Sequence, residues 1–215
     1  MVDAFQRLGQ TINKKFGGAV FRKQINIILY SLTITLLVWF FQPVVLAEQN
    51  GNEKFPVEVI KDGLAFKRVG VGYRRFFFMK AFDASFYTVG NISSEQILND
   101  VPKFLEVEYH VGIPAKSLTE YTISHIRLNV NQDEFLKLHD ELELMGKYFV
   151  DLKPNDRFSL MYLPETGTQF AHNGKVTGII AGEEFGRALF SVWIGSKPFD
   201  PNLRKKILGL SNQKT

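Results

Sequence analysis

Arg74 is the side chain whose setting most asks for a chemical explanation. It stands in Tyr73-Arg74-Arg75-Phe76-Phe77-Phe78-Met79, a stretch whose aromatic content favours extended backbone. Side chains alternate along a strand, so Arg74 shares a face with Phe76 and Phe78, while Arg75 shares the other with Tyr73 and Phe77. A guanidinium on an apolar face cannot be buried without a partner. One reading puts it in a Phe-lined pocket, where it receives a ligand carboxylate through parallel N–H bonds. The other leaves it at a strand end, reaching solvent or an internal Asp or Glu. The residue pattern by itself favours the second.

Other chemistry finds little support. The chain has no cysteine, which excludes disulfides, thiolate catalysis and Cys-based zinc sites. His110, His125, His139 and His172 are dispersed and show no metal-ligand spacing. Gly70-Val71-Gly72 leads into a strand rather than a helix, so it does not read as a dinucleotide loop, and no nucleophile elbow or HExxH is present. Glu183-Glu184 at a helix start complement the helix dipole. No metal and no cofactor are expected.

The elements that must position Arg74 follow from periodicity and turn chemistry. Val57 to Ile60 and Leu64 to Val69 read as a hairpin about Lys61-Asp62-Gly63. The Phe76–Phe78 run is apolar on both faces, which predicts a central strand covered on both sides, continuing through Phe82 to Tyr87. Phe104 to Val111 alternates as a strand. Helices are expected over Ser117–Ile126 and Asp133–Tyr148, the second capped by Asn131 or Gln132. Phe158 to Leu163 is a strand, and Thr168–Ala171 with Val176–Ile180 a hairpin about His172-Asn173-Gly174-Lys175. Helices over Glu183–Trp193 and Pro201–Leu208 close the chain. Strands and helices are partly segregated, the α+β pattern of a mainly antiparallel sheet with helices on one face.

The 215 residues carry 26 basic and 22 acidic side chains. Arg7, Lys14, Lys15, Arg22 and Lys23 against Asp3 account for the whole excess, so the chain beyond Ala47 is balanced and nucleic acid is not an expected partner. From Gln24 to Ala47 no residue is charged, and as a helix this run would cover about 36 Å, enough to cross a bilayer core. Its length favours an uncleaved membrane anchor, whereas Pro43 and Val45-x-Ala47 favour a signal peptide cleaved after Ala47. Both readings export the rest of the chain, to the periplasm or to the outer side of the inner membrane. The expected division is therefore a leader over residues 1–47 and one domain over 48–215.

The domain resembles the bacterial branch of the chalcone-isomerase-like proteins. The matching pieces are FPVEV at 55–59, GVGYRR at 70–75, KAFDASFY at 80–87, PETGT at 164–168, NGKVTGIIAGEEFGRALFSVWIGSKP at 173–198 and DPNLRKKILG at 200–209. The resemblance implies an open-faced β-sandwich, a large antiparallel sheet backed by helices with a ligand cleft between. It also implies that Arg74 is the cleft arginine. In relatives that bind fatty acids an arginine and a tyrosine hold the carboxylate, and the tyrosine position falls here on Phe82. Tyr87 is the nearby phenol, on the opposite strand face unless a bulge intervenes. The isomerases' threonine, tyrosine and asparagine positions fall on Phe82, Pro114 and Tyr121, so the polar groups of that reaction are largely missing.

Three functions remain open. The first is non-catalytic binding of a fatty acid or similar apolar carboxylate, with Arg74, Phe76, Phe78, Phe82 and Tyr87 as ligand-binding residues. The second is an isomerase (intramolecular lyase) on an unknown substrate, and the third a structural or interaction protein of the envelope. No catalytic residue is assigned.

Overall fold

A computed structural model describes residues 54–210. The expected leader and its cleavage site lie outside the described residues. Seven strands pair in chain order, every pair antiparallel. They are β1 (Glu58–Lys61), β2 (Leu64–Phe76), β3 (Met79–Thr88), β4 (Lys103–Tyr109), β5 (Arg157–Leu163), β6 (Gly167–His172) and β7 (Lys175–Ile180). Between β4 and β5 come three helices, α1 (Ala115–Asn129), α2 (Gln132–Lys137) and α3 (His139–Tyr148); α4 (Glu183–Ile194) and α5 (Pro201–Ile207) follow β7.

Two hairpins form where turn chemistry demands them. Asp62 and Gly63 both take positive φ, as do Asn173 and Gly174, the conformation a two-residue turn needs to match strand twist. Asn131 caps α2 by accepting a hydrogen bond from the Glu134 amide at 2.9 Å. The single helix expected over 133–148 is broken at Leu138, where φ −87 and ψ 10 separate α2 from α3.

The main core lies between one sheet face and the helices. Phe86, Leu105, Leu160 and Phe170 from the strands meet Ile126, Met145, Leu189 and Phe190 from the helices, all nearly excluded from solvent. Phe66, Tyr87, Phe104 and Met161 form a smaller cluster of their own, on the other face by strand alternation. Among the described residues no helix is long and apolar enough to cross a membrane.

The Phe76–Phe78 run is not the central strand that its composition predicts. Phe76 ends β2, Met79 begins β3, and Phe77 sits between them with φ 53. All four side chains are exposed. Composition misleads here because the turn contains no Gly, Asn or Asp to announce it.

Candidate functional site

A cavity of about 530 Å³ opens between the sheet and the helices. Its sheet wall is centred on a row of three residues running across three strands: Arg74 on β2 pairs with Phe82 on β3, which pairs with Tyr109 on β4. All three line the cavity. The register slips between Arg74 and Arg75, leaving Ala81 without a partner. Such a bulge turns neighbouring side chains to one side, and Ala81 and Phe82 both face the cavity. From α1 come Ser117, Leu118, Tyr121 and Thr122; Val192 and Trp193 of α4 and then Phe199 complete the helical wall.

Phe82 is the centre of the aromatic lining. Its ring centroid lies 5.6 Å from Tyr109, 5.8 Å from Trp193 and 6.1 Å from Phe199, within the range of favourable tilted and edge contacts.

Arg74 is already partnered. Its Nη1 donates to Oδ2 of Asp200 at 2.6 Å, with 34% of the arginine side chain and 14% of the aspartate exposed. The guanidinium carbon also stands 5.7 Å from the Phe199 ring centroid. Asp200 uses its other oxygen to cap α5, accepting from the amides of Asn202 and Leu203 at 2.9 and 3.0 Å. Burial would raise the Asp200 carboxyl, but the Leu203 amide and Arg74 outweigh it and hold the group below the usual carboxylate value. The internal-carboxylate alternative for Arg74 is therefore the one observed. A guanidinium offers five N–H donors, and among the described residues the only hydrogen bond of Arg74 is the one to Asp200. Donors remain for a ligand, in a site that is electrically neutral when empty.

The five residues expected to bind ligand separate. Arg74, Phe76 and Phe82 line the cavity. Phe78 does not: it is 88% exposed at the hairpin tip, because the turn ends the alternation that would have carried it to the face of Arg74. Tyr87 does not either. It is buried with Phe66, Phe104 and Met161, since no residue is inserted in β3 between Phe82 and Tyr87 and an odd separation then puts them on opposite faces.

The phenol that the sheet contributes to the cavity is Tyr109. Burial pushes its pKa upward, and among the described residues its hydroxyl makes no hydrogen bond, so it is a protonated donor without a partner. The alternation Leu105, Val107, Tyr109 carries the information that these three share one face. Knowing that this face meets Phe82 requires the register between β3 and β4. Tyr121 lines the cavity as well, whereas Pro114 precedes α1 as its N-terminal flank. The helix beginning at Pro201 was legible, but nothing local announces that Asp200, just before it, pairs with a residue 126 positions away. Among the described residues no cluster of His, Asp or Glu could hold a metal ion.

A family described as chalcone isomerase-like matches the chain over residues 47–209. No curated protein matches it. Among solved structures, a fatty-acid binding protein from Arabidopsis thaliana superimposes with a TM-score of 0.50 at 15% identity, covering 70% of this chain and 95% of its own. That likeness extends to the fold: an antiparallel sheet with helices on one face.

Proposed function

Since this chain belongs to the chalcone isomerase-like family, we propose that its domain is a non-catalytic binding protein for a fatty acid or similar apolar carboxylate. The observation that carries the reading is the cavity itself. Its volume of about 530 Å³ falls among small-molecule sites, and it has their composition, apolar walls with a few polar groups. Fatty-acid binding by the Arabidopsis neighbour supports the same class of ligand. In this reading the acyl chain lies against Phe82, Trp193 and Phe199. The carboxylate meets the remaining N–H groups of Arg74 and the Tyr109 hydroxyl, a phenolic O–H donor.

Titration of the protein with a fatty acid, alongside native mass spectrometry, tests this. Arg74→Ala should weaken binding by about tenfold or more, the worth of a hydrogen bond to a charged group. Equal affinity in the variant would overturn the assignment.

A second reading, an intramolecular lyase, is favoured by the hydroxyls of Tyr109, Tyr121 and Ser117 along the wall. Phe82 weakens it, since an apolar ring stands at the position where the isomerases polarise their ketone. Turnover of a chalcone by the purified protein would reverse the ranking. The proposal takes the domain to be exported, on the basic leader and the uncharged run alone.

A further inference from the structure

Four consecutive apolar side chains face solvent at the β2–β3 turn. Phe76, Phe77, Phe78 and Met79 are 62%, 83%, 88% and 52% exposed. Burial does not explain them, and neither does turn formation. Phe77 takes φ 53, a left-handed conformation that is unfavourable for a residue bearing a Cβ. Backbone strain at an exposed apolar tip is an observation from which function is reasonably sought.

The charges behind the tip identify what it fits. Arg75 pairs across the hairpin with Lys80, and Lys206 reaches the same place from α5. All three cations crowd one ring, that of Tyr73, with charge-to-centroid distances of 5.4, 5.4 and 4.2 Å. Lys80 is balanced by Asp83 at 2.6 Å. Arg75 and Lys206 have no carboxylate partner among the described residues. Like charges held together without a counter-ion repel, and an anionic surface relieves them. At about 3.3 Å per residue Arg75 stands a few ångströms behind Phe77 and Phe78. That matches an interfacial element whose apolar side chains sink about 5–10 Å while its cations stay among the headgroups.

We propose that this hairpin tip docks on an anionic phospholipid bilayer, with Phe77 and Phe78 among the upper acyl chains and Arg75 and Lys206 on lipid phosphates. A second copy of the chain is a poorer occupant, because two such tips would bring their unpaired cations together. Phe76 and Met79 belong to the tip and also line the cavity, so docking brings one wall of the cavity to the level of the acyl chains. The docking does not rest on the carrier reading: its test contains no free fatty acid, and its failure would leave the cavity assignment standing.

The absence of cysteine makes a single label clean. Phe78→Cys carries an environment-sensitive fluorophore at the tip, and Ala65→Cys, an exposed position toward the far end of β2, carries it in a control. The full chain is reconstituted into vesicles of phosphatidylcholine with brominated acyl chains, with and without phosphatidylglycerol. The uncharged run before Glu48 is expected to partition by itself, so the readout is label depth rather than total binding. With phosphatidylglycerol present, the label at residue 78 should be quenched several-fold more than the label at residue 65. Arg75→Gln and Lys206→Gln should each shift the insertion equilibrium by about fivefold, the effect of one cation near an anionic surface. Equal quenching at both labels, or quenching at residue 78 unaffected by phosphatidylglycerol, would overturn the proposal. So would a concentration-dependent change at residue 78 without lipid, which would mark self-association instead.

Discussion

Asp200 divides its two carboxylate oxygens between two tasks. Oδ1 caps α5 and Oδ2 neutralises Arg74. A ligand carboxylate must therefore approach a guanidinium that already has an anion beside it, and the two anions compete for one positive charge. Asp200→Asn separates the tasks, because an asparagine oxygen still caps the helix while the negative charge is gone. In a fatty-acid titration this variant should bind about threefold to tenfold tighter, the value of relieving roughly one kcal/mol of repulsion. Tyr109→Phe should bind about fivefold more weakly, by the loss of one hydrogen bond. If neither change moves the affinity, the head group does not lie in this row. Arg74 itself shows what a sequence conveys at this scale. Its apolar neighbours announce that a partner is needed, and the choice between an internal and an external partner depends on a residue far along the chain.

The two glycines before Arg74 become intelligible through the helix that covers them. A Cβ on Gly70 would come within 2.2 Å of the Lys206 carbonyl oxygen, and one on Gly72 within 2.6 Å of a Leu203 methyl. The α5 backbone thus lies directly on β2, and that close approach brings Asp200 to Arg74. Gly70→Ala meets backbone rather than a flexible side chain, so α5 must shift. A loss of about 1–3 kcal/mol is expected from overpacking, read as a lower denaturant midpoint, together with a weakened Arg74–Asp200 pair. Unchanged stability would show that α5 is not seated here. Elements with explicit punctuation were readable in advance: Asp62-Gly63 and Asn173-Gly174 mark their turns, and Asn131 marks its helix. The Phe77-Phe78 turn was not, because it is built from residues that elsewhere form strands. The break at Leu138 was not either, since Leu136, Leu138, Leu142 and Leu144 sustain an apolar pattern straight through it.

At the scale of the whole molecule, the two sheet faces obey different physics. One carries the main core and the cavity; from the other, residues of alternate parity enter a network of opposite charges. Asp83 takes Lys54 at 2.5 Å and His110 at 2.9 Å. Arg157 bridges Glu106 and Glu108 at 3.1 and 3.0 Å. Burial alone would raise the Asp83 carboxyl, but hydrogen bonds from Lys54, Lys80 and His110 bring it from 3.8 down to about 2. A carboxyl depressed in the folded state stabilises the fold fully above its unfolded pKa, and that contribution disappears as pH falls through the folded value. Stability should therefore drop between about pH 4 and pH 2. Asp83→Asn should lower stability at neutral pH and flatten this acid limb in denaturant titrations. An acid limb as steep as that of the parent protein would remove Asp83 as its source.

The strand order carries one further consequence. Because each strand pairs with its neighbours in sequence, the sheet can assemble progressively as a chain emerges, beginning with β1 to β4. The cavity wall cannot. Val192, Trp193, Phe199 and Asp200 all come after the seventh strand, so a nascent chain that has finished its sheet still presents Arg74 and Phe82 to water. The cavity is thus completed only by the finished polypeptide, and a product of premature termination would lack both that wall and the α4 side chains, Leu189 and Phe190, that cover the core face of the sheet.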